Sequence, residues 1–203
     1  HLGVTYTHID EIIQFGNDAY ICVTDAGDAA WSVYKYDGAA ITHERVLAGH
    51  PRGMAVYDGT LCVFNGTDID VRTGAGVWSR TATGVALINR NTLCVYEGEA
   101  GEELWFAGGR VDNTSRPKIY SWDGAAVTTF APATTGIDDD SKVVVLSISS
   151  ISGALVFITS GAVESWGDPF PDVSFGIYWY DGTPSYSGGP AVGWSWDPIR
   201  QTI

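Results

Sequence analysis

Apolar side chains in this chain come in short alternating runs that end at Gly, Asn or Asp, the period-two signature of half-buried strands separated by tight turns. A strand-turn-strand module recurs four times. Ile12-Ile13-Gln14-Phe15 passes through Gly16-Asn17 into Ala19-Tyr20-Ile21-Cys22-Val23, and Met54-Ala55-Val56-Tyr57 passes through Asp58-Gly59 into Thr60-Leu61-Cys62-Val63-Phe64. The third copy is Val85-Ala86-Leu87-Ile88, Arg90-Asn91, Thr92-Leu93-Cys94-Val95-Tyr96, and the fourth is 144–148, Ser152-Gly153, Ala154-Leu155-Val156-Phe157-Ile158. Gly and Asn adopt positive φ cheaply, so each copy predicts a hairpin.

A second element follows the first: Val33-Tyr34-Lys35-Tyr36-Asp37-Gly38, Ile119-Tyr120-Ser121-Trp122-Asp123-Gly124 and Ile177-Tyr178-Trp179-Tyr180-Asp181-Gly182, with 71–77 as a worn copy. Alternation running into Asp-Gly predicts a third strand that turns tightly into a fourth. About 20 strand-like segments, at four per unit, give about five units of roughly 40 residues, the size of a propeller blade. One four-stranded sheet cannot bury both its faces, so the units must stack. The predicted fold is therefore all-β: a β-propeller of about five four-stranded blades, or part of a larger one, forming a single domain over residues 1–203. A β-sandwich is the alternative packing.

Composition agrees with strands and excludes some partners. Hydrophobic residues make up 45% of the chain, with 25 Gly and 8 Trp, and charged residues only 17%, which rules out a disordered chain. A formal net charge of -13 repels a phosphate backbone, so nucleic acid is not an expected partner. The longest apolar stretch, 143–158, is interrupted by Ser147, Ser149, Ser150, Ser152 and Gly153, and reads as two strands around a turn, with no membrane insertion. No secretory signal is evident. The chain opens at His1 without an initiator Met, which fits a piece of a longer one. Cys22, Cys62 and Cys94 each sit inside a strand-like run without a Cys-x-x-Cys pair, and read as small core residues.

The Tyr-x-Tyr/Trp-Asp-Gly ending of the third strand resembles the degenerate β-propeller repeats of bacterial and bacteriophage surface proteins. Leu104-Trp105-Phe106-Ala107-Gly108-Gly109, followed by Tyr120 and Trp122, is similar to a kelch repeat with its double glycine, a pair that the other units lack. The resemblance implies a virion, extracellular or cell-surface location and a recognition or structural role.

In an up-and-down unit, first-to-second and third-to-fourth turns share one end of the sheet, while second-to-third connections and inter-unit links share the other. The long segments 97–118 and 159–175 and the links 48–52 and 132–141 fall in the second class, so one end is expected to be rich in loops, where binding usually resides. The alternative for the first of these is that 103–107 forms a strand of its own, which would shift the register of the third unit. Arg110, Asp112, Asn113 and Arg116 lie there, with Trp166, Asp168 and Asp172 in the second long segment and His50 and Arg52 in a link. Rings flanked by Asp, Asn and Arg suit a sugar, because the ring stacks on a pyranose face while planar polar groups bind hydroxyls. The same side chains also serve to fix loop conformation.

No catalytic signature is present, and no cofactor or metal is expected. His1, His8, His43 and His50 show no ligand spacing, and Asp138-Asp139-Asp140 reads as a solvated loop. Asp37, Asp123 and Asp181 all precede Gly in the same turn, where Asp serves backbone geometry and not a carboxylate pair for glycoside hydrolysis. The expected function is thus non-enzymatic binding of a glycan or a protein neighbour in a larger assembly through the loop-rich end. The alternative is a polysaccharide-active glycoside hydrolase or lyase on a five-bladed propeller.

Overall fold

A computed structural model describes residues 6–27, 29–85, 92–98, 101–107, 119–130, 144–151, 154–163 and 172–180. The chain divides into two compact units, His1–Ile88 and Asn89–Ile203. The first holds β1 (Tyr6–Phe15), β2 (Asp18–Asp25), β3 (Trp31–Tyr36) and β4 (Ile41–Val46) in one sheet, then β5 (Pro51–Tyr57), β6 (Thr60–Asn65), β7 (Asp68–Gly74) and β8 (Val77–Ala82) in another. The second holds β9 (Leu93–Gly98), β10 (Gly101–Ala107), β11 (Ile119–Trp122) and β12 (Val127–Phe130), and a three-stranded sheet of β13 (Val144–Ile151), β14 (Ala154–Val163) and β15 (Asp172–Tyr180). Every sheet runs in chain order with antiparallel neighbours. Among the described residues no strand crosses between sheets, so these are meanders of the blade type and not the Greek-key sheets of a sandwich. No helix long and apolar enough to cross a membrane occurs among them.

The turn chemistry anticipated from the sequence closes these hairpins. Asp58 and Gly59 both take positive φ, 45° and 65°, the geometry a two-residue connection needs to match strand twist. Asp37 accepts hydrogen bonds from the backbone N–H groups of Ala39 (2.9 Å) and Ala40 (2.8 Å), and Asp123 does the same with Ala125 (2.9 Å) and Ala126 (2.7 Å). Backbone geometry therefore accounts for both aspartates, while Asp181 lies outside the described residues. The bonds from Ala40 and Ala126, followed by those from Ala39 and Ala125, hold the two carboxyls below their ordinary pKa of 3.8. A lowered folded-state pKa stabilises above the unfolded value and is lost as pH falls through the folded one. The stability of an Asp37→Asn/Asp123→Asn variant is accordingly expected to fall less steeply than that of the unsubstituted chain below roughly pH 4, in denaturant titrations at stepped pH.

Two expectations need correction. The segment 97–118 is not one long connection: the alternative of a strand at 103–107 holds, and residues 101–107 form β10, paired with β9 on one side and β11 on the other. Most of the first strand and the turn expected for the third hairpin, residues 86–91, lie outside the described residues, so the run 93–98 is the first described strand of its sheet. Likewise 159–175 is largely strand: β14 continues to Val163 and pairs there with Asp172 of β15. The cysteines behave as expected, all three free and Cys22 and Cys62 buried. Burial pushes the Cys62 thiol up to about 11.

Burial is graded across the second sheet. Every residue of β6 after Thr60 is buried, whereas β8 has only exposed and half-buried positions. β6 is thus covered on both faces. Asn65 and Asp70 are buried with it, so Asn65, although the first residue of an Asn-Gly-Thr sequence, is packed in the interior and is not a surface acceptor for a glycan.

Candidate functional site

In the first unit the β2–β3 connection and the link from β4 to β5 lie at one end, opposite the Gly16-Asn17 and Asp37–Ala40 turns, and Leu47 N donates to Trp31 O (2.9 Å) to tie the two connections together. At this end the first strand of each sheet departs from regular pairing. β1 slips register between Tyr6 and His8 and again between Ile9 and Glu11, leaving Thr7 and Asp10 as extra residues, and β5 slips between Pro51 and Gly53, leaving Arg52. A bulge of this kind re-aims a side chain. The effect shows in exposure: Ile9 (53%) and Ile12 (59%) both face outward, while Asp10 and Glu11 between them both turn inward.

The bulged strand delivers a compact polar group. Asp10, whose side chain is 2% exposed, has Oδ1 at 3.0 Å from His8 Nε2 and 4.0 Å from His50 Nε2. Thr24, opposite His8 in the ladder, donates its hydroxyl to Asp10 Oδ2 (2.6 Å). Because Thr24 bonds the carboxylate and not an imidazole, the group lacks the nucleophile–base contact of a catalytic triad. His50 Nδ1 lies 3.0 Å from the Pro51 carbonyl oxygen, to which a ring nitrogen can only donate, so Nδ1 carries the proton and Nε2 the lone pair of the neutral ring. The ring of Trp31 stands 6.1 Å from that of His50, and His8 6.0 Å from it on centroids. Trp31 Nε1 and Arg52 Nε are buried donors without an acceptor.

The link carrying His50 is fixed from beneath. Asn65 Oδ1 accepts from Ala48 N (3.1 Å), and Gly66 N donates to His50 O (3.2 Å). Asn65 Nδ2 in turn donates to Asp70 Oδ2 (2.8 Å), and Asp70 is held by Arg45 Nη2 (2.6 Å) and Arg80 Nη2 (2.9 Å). Between the two sheets, Glu11 Oε2 accepts from Met54 N (2.7 Å), joining β1 to β5.

Of the residues singled out from sequence, Arg110, Asp112, Asn113, Arg116, Trp166 and Asp168 lie outside the described residues. Asp172 opens β15 opposite Val163, so it belongs to a strand and not to a loop. His50 lies in the link as expected, whereas Arg52 is part of β5. Sequence reasoning missed His8, Asp10, Thr24 and Trp31 and saw no ligand spacing among the histidines, yet the fold brings His8 and His50 to the same carboxylate. The available signals were His8-x-Asp10, a spacing that puts two polar groups on one face of a strand, and the break in alternation at Asp10-Glu11.

No family model and no curated protein sequence matches the chain. Among solved structures it is similar to an endo-arabinase from Bacteroides thetaiotaomicron (14% identity, 97% of this chain and 81% of that one, TM-score 0.46). It is also similar to an alpha-L-arabinofuranosidase from Clostridium thermocellum (9%, 92% and 70%, TM-score 0.42). A glycoside hydrolase family 43 arabinoxylan arabinofuranohydrolase from Bacillus subtilis, solved with cellotetraose, matches at 12% identity over 98% of this chain and 52% of that one, with a TM-score of 0.39. Scores and identities this low assign no activity.

Proposed function

We propose that the chain is a non-enzymatic recognition module of a virion or cell surface that binds a glycan at the end of its first two sheets. The observation that carries this reading is the grouping of Trp31, His50 and His8 beside the carboxylate of Asp10, with the buried Trp31 and Arg52 N–H donors lacking acceptors. Flat rings suit the C–H face of a sugar, and its hydroxyls supply the acceptors that buried donors need. Cleavage would ask for a second carboxyl kept protonated by a raised pKa. Among the described residues the aspartates with displaced values, Asp25, Asp37 and Asp123, are all lowered, first of all by backbone N–H bonds from Ala29, Ala40 and Ala126. Glu44 and Asp70 are engaged by arginines, and Glu11 by a backbone N–H.

The test is a glycan array on the intact chain, followed by titration of any ligand found and an assay for released reducing ends. Trp31→Ala is expected to weaken binding about tenfold, equivalent to about 1.4 kcal/mol. Trp31→Phe should retain most of the stacking and lose only the N–H contribution. Since Trp31 also packs against the core of its unit, thermal melts must accompany both variants. Absence of binding across the array overturns the proposal, and steady release of sugars replaces it with the hydrolase reading.

A further inference from the structure

We propose that His8, Asp10 and His50 form a binding site for a divalent first-row transition ion of the zinc type, whether or not this end of the sheets also takes a glycan. The donor set is two imidazole nitrogens and one carboxylate oxygen, which suits zinc, nickel or copper and not calcium, whose shell is six to eight oxygens. Metal–ligand bonds of about 2.0–2.2 Å put the donors of a tetrahedral centre about 3.3 Å apart. Here Asp10 Oδ1 is 3.0 Å from His8 Nε2 and 4.0 Å from His50 Nε2, and one ligand atom from each of the three lies within 4.8 Å of the others. Side-chain rotations moving the ring nitrogens by about 1 Å would close the set around an ion.

Both imidazoles converge on one carboxylate oxygen, His8 at 3.0 Å and His50 at 4.0 Å. The groups behind the three residues are those that orient metal ligands. Thr24 fixes the far oxygen of Asp10 at 2.6 Å, and the Pro51 carbonyl fixes the tautomer of His50 at 3.0 Å, turning Nε2 into the ligating atom. Bulges at Thr7, Asp10 and Arg52 lie within or beside the group and re-aim its side chains. Two neutral imidazoles and one carboxylate leave a divalent ion with a net positive charge and a fourth position for water or a ligand oxygen, in a chain whose net charge of -13 attracts cations.

Calorimetric titration of the chelator-treated full chain with zinc chloride is expected to give one equivalent bound, with affinity falling at least about a hundredfold in His8→Ala and in His50→Ala. Calcium chloride should neither bind there nor compete. On the unsubstituted chain, cobalt(II) should produce a visible band of nitrogen and oxygen ligation without the intense thiolate band that Cys22, Cys62 or Cys94 would give. In NMR spectra it should perturb His8, Asp10 and His50 ahead of His1 and His43. This second measurement decides the matter if either alanine variant fails to fold. Failure to take up zinc, uptake unchanged in both folded variants, competition by calcium, a thiolate band, or cobalt effects centred elsewhere would each overturn the site.

Discussion

Replacing Arg45 and Arg80 together by Met is expected to cost about 3–5 kcal/mol of stability, because it strands a buried carboxylate. Asp70 has a fully buried side chain on β7 and receives Arg45 from β4 and both Nε and Nη2 of Arg80 from β8, with Asn65 Nδ2 as its remaining partner. Met keeps most of the aliphatic stem, so lost packing contributes little. Either single replacement leaves a guanidinium on the carboxylate, and the double variant should lose more than the sum of the singles. Removing the acid instead should be milder, since the arginine side chains are 27% and 33% exposed and can turn to water. Urea denaturation of the unsubstituted chain, the two single variants, the double variant and Asp70→Asn checks this, and additive losses of the two arginine replacements would refute it. Through Asn65 and Ala48 N, the same network braces the link that carries His50, so the double variant should also weaken zinc binding relative to either single.

What the sequence made legible was local. Gly16-Asn17, Asp58-Gly59 and the Asp-Gly pairs at Asp37 and Asp123 encode turns through positive φ or a side chain that caps its own backbone, and strands on both sides follow from alternation. Only the second part of β10 was legible, as the strand alternative at 103–107, because it begins Gly101-Glu102-Glu103, acidic and glycine-led, before Leu104 starts its buried half. The ends of β13 and β14 were underestimated for a related reason, as Ser149, Ser150, Ser160 and Gly161 pair through their backbones without an apolar signature.

The site was less legible because it depends on contacts between sheets and on breaks in regularity. His8 lies on β1 and His50 in the link that leads into β5, and they meet only because β1 packs beside β5, which no spacing along the chain reveals. Strict alternation would send Asp10 and Glu11 to opposite faces; the bulge turns both inward and lets one join the histidines while the other bonds Met54 N. His50 was found from sequence for its place in a link, and its ligand-forming neighbours were not.

Phe64→Ala is the other substitution expected to cost about 3–5 kcal/mol. Leu61, Cys62, Val63 and Phe64 on β6 are all 0% exposed, so this strand has no face turned to water and no room for neighbours to collapse into a vacated ring. Phe64 also pairs with Ile69 and Gly53, beside the Asn65 amide, so a cavity here loosens the ladder on which the Asp70 network rests. Val77→Ala supplies the contrast. Val77 lies on β8 and is 58% exposed, and its replacement should change stability by less than about 0.5 kcal/mol. Equal losses for Phe64→Ala and Val77→Ala in the same denaturation experiment would mean that the gradient of burial from β6 to β8 does not set the energetics of this sheet.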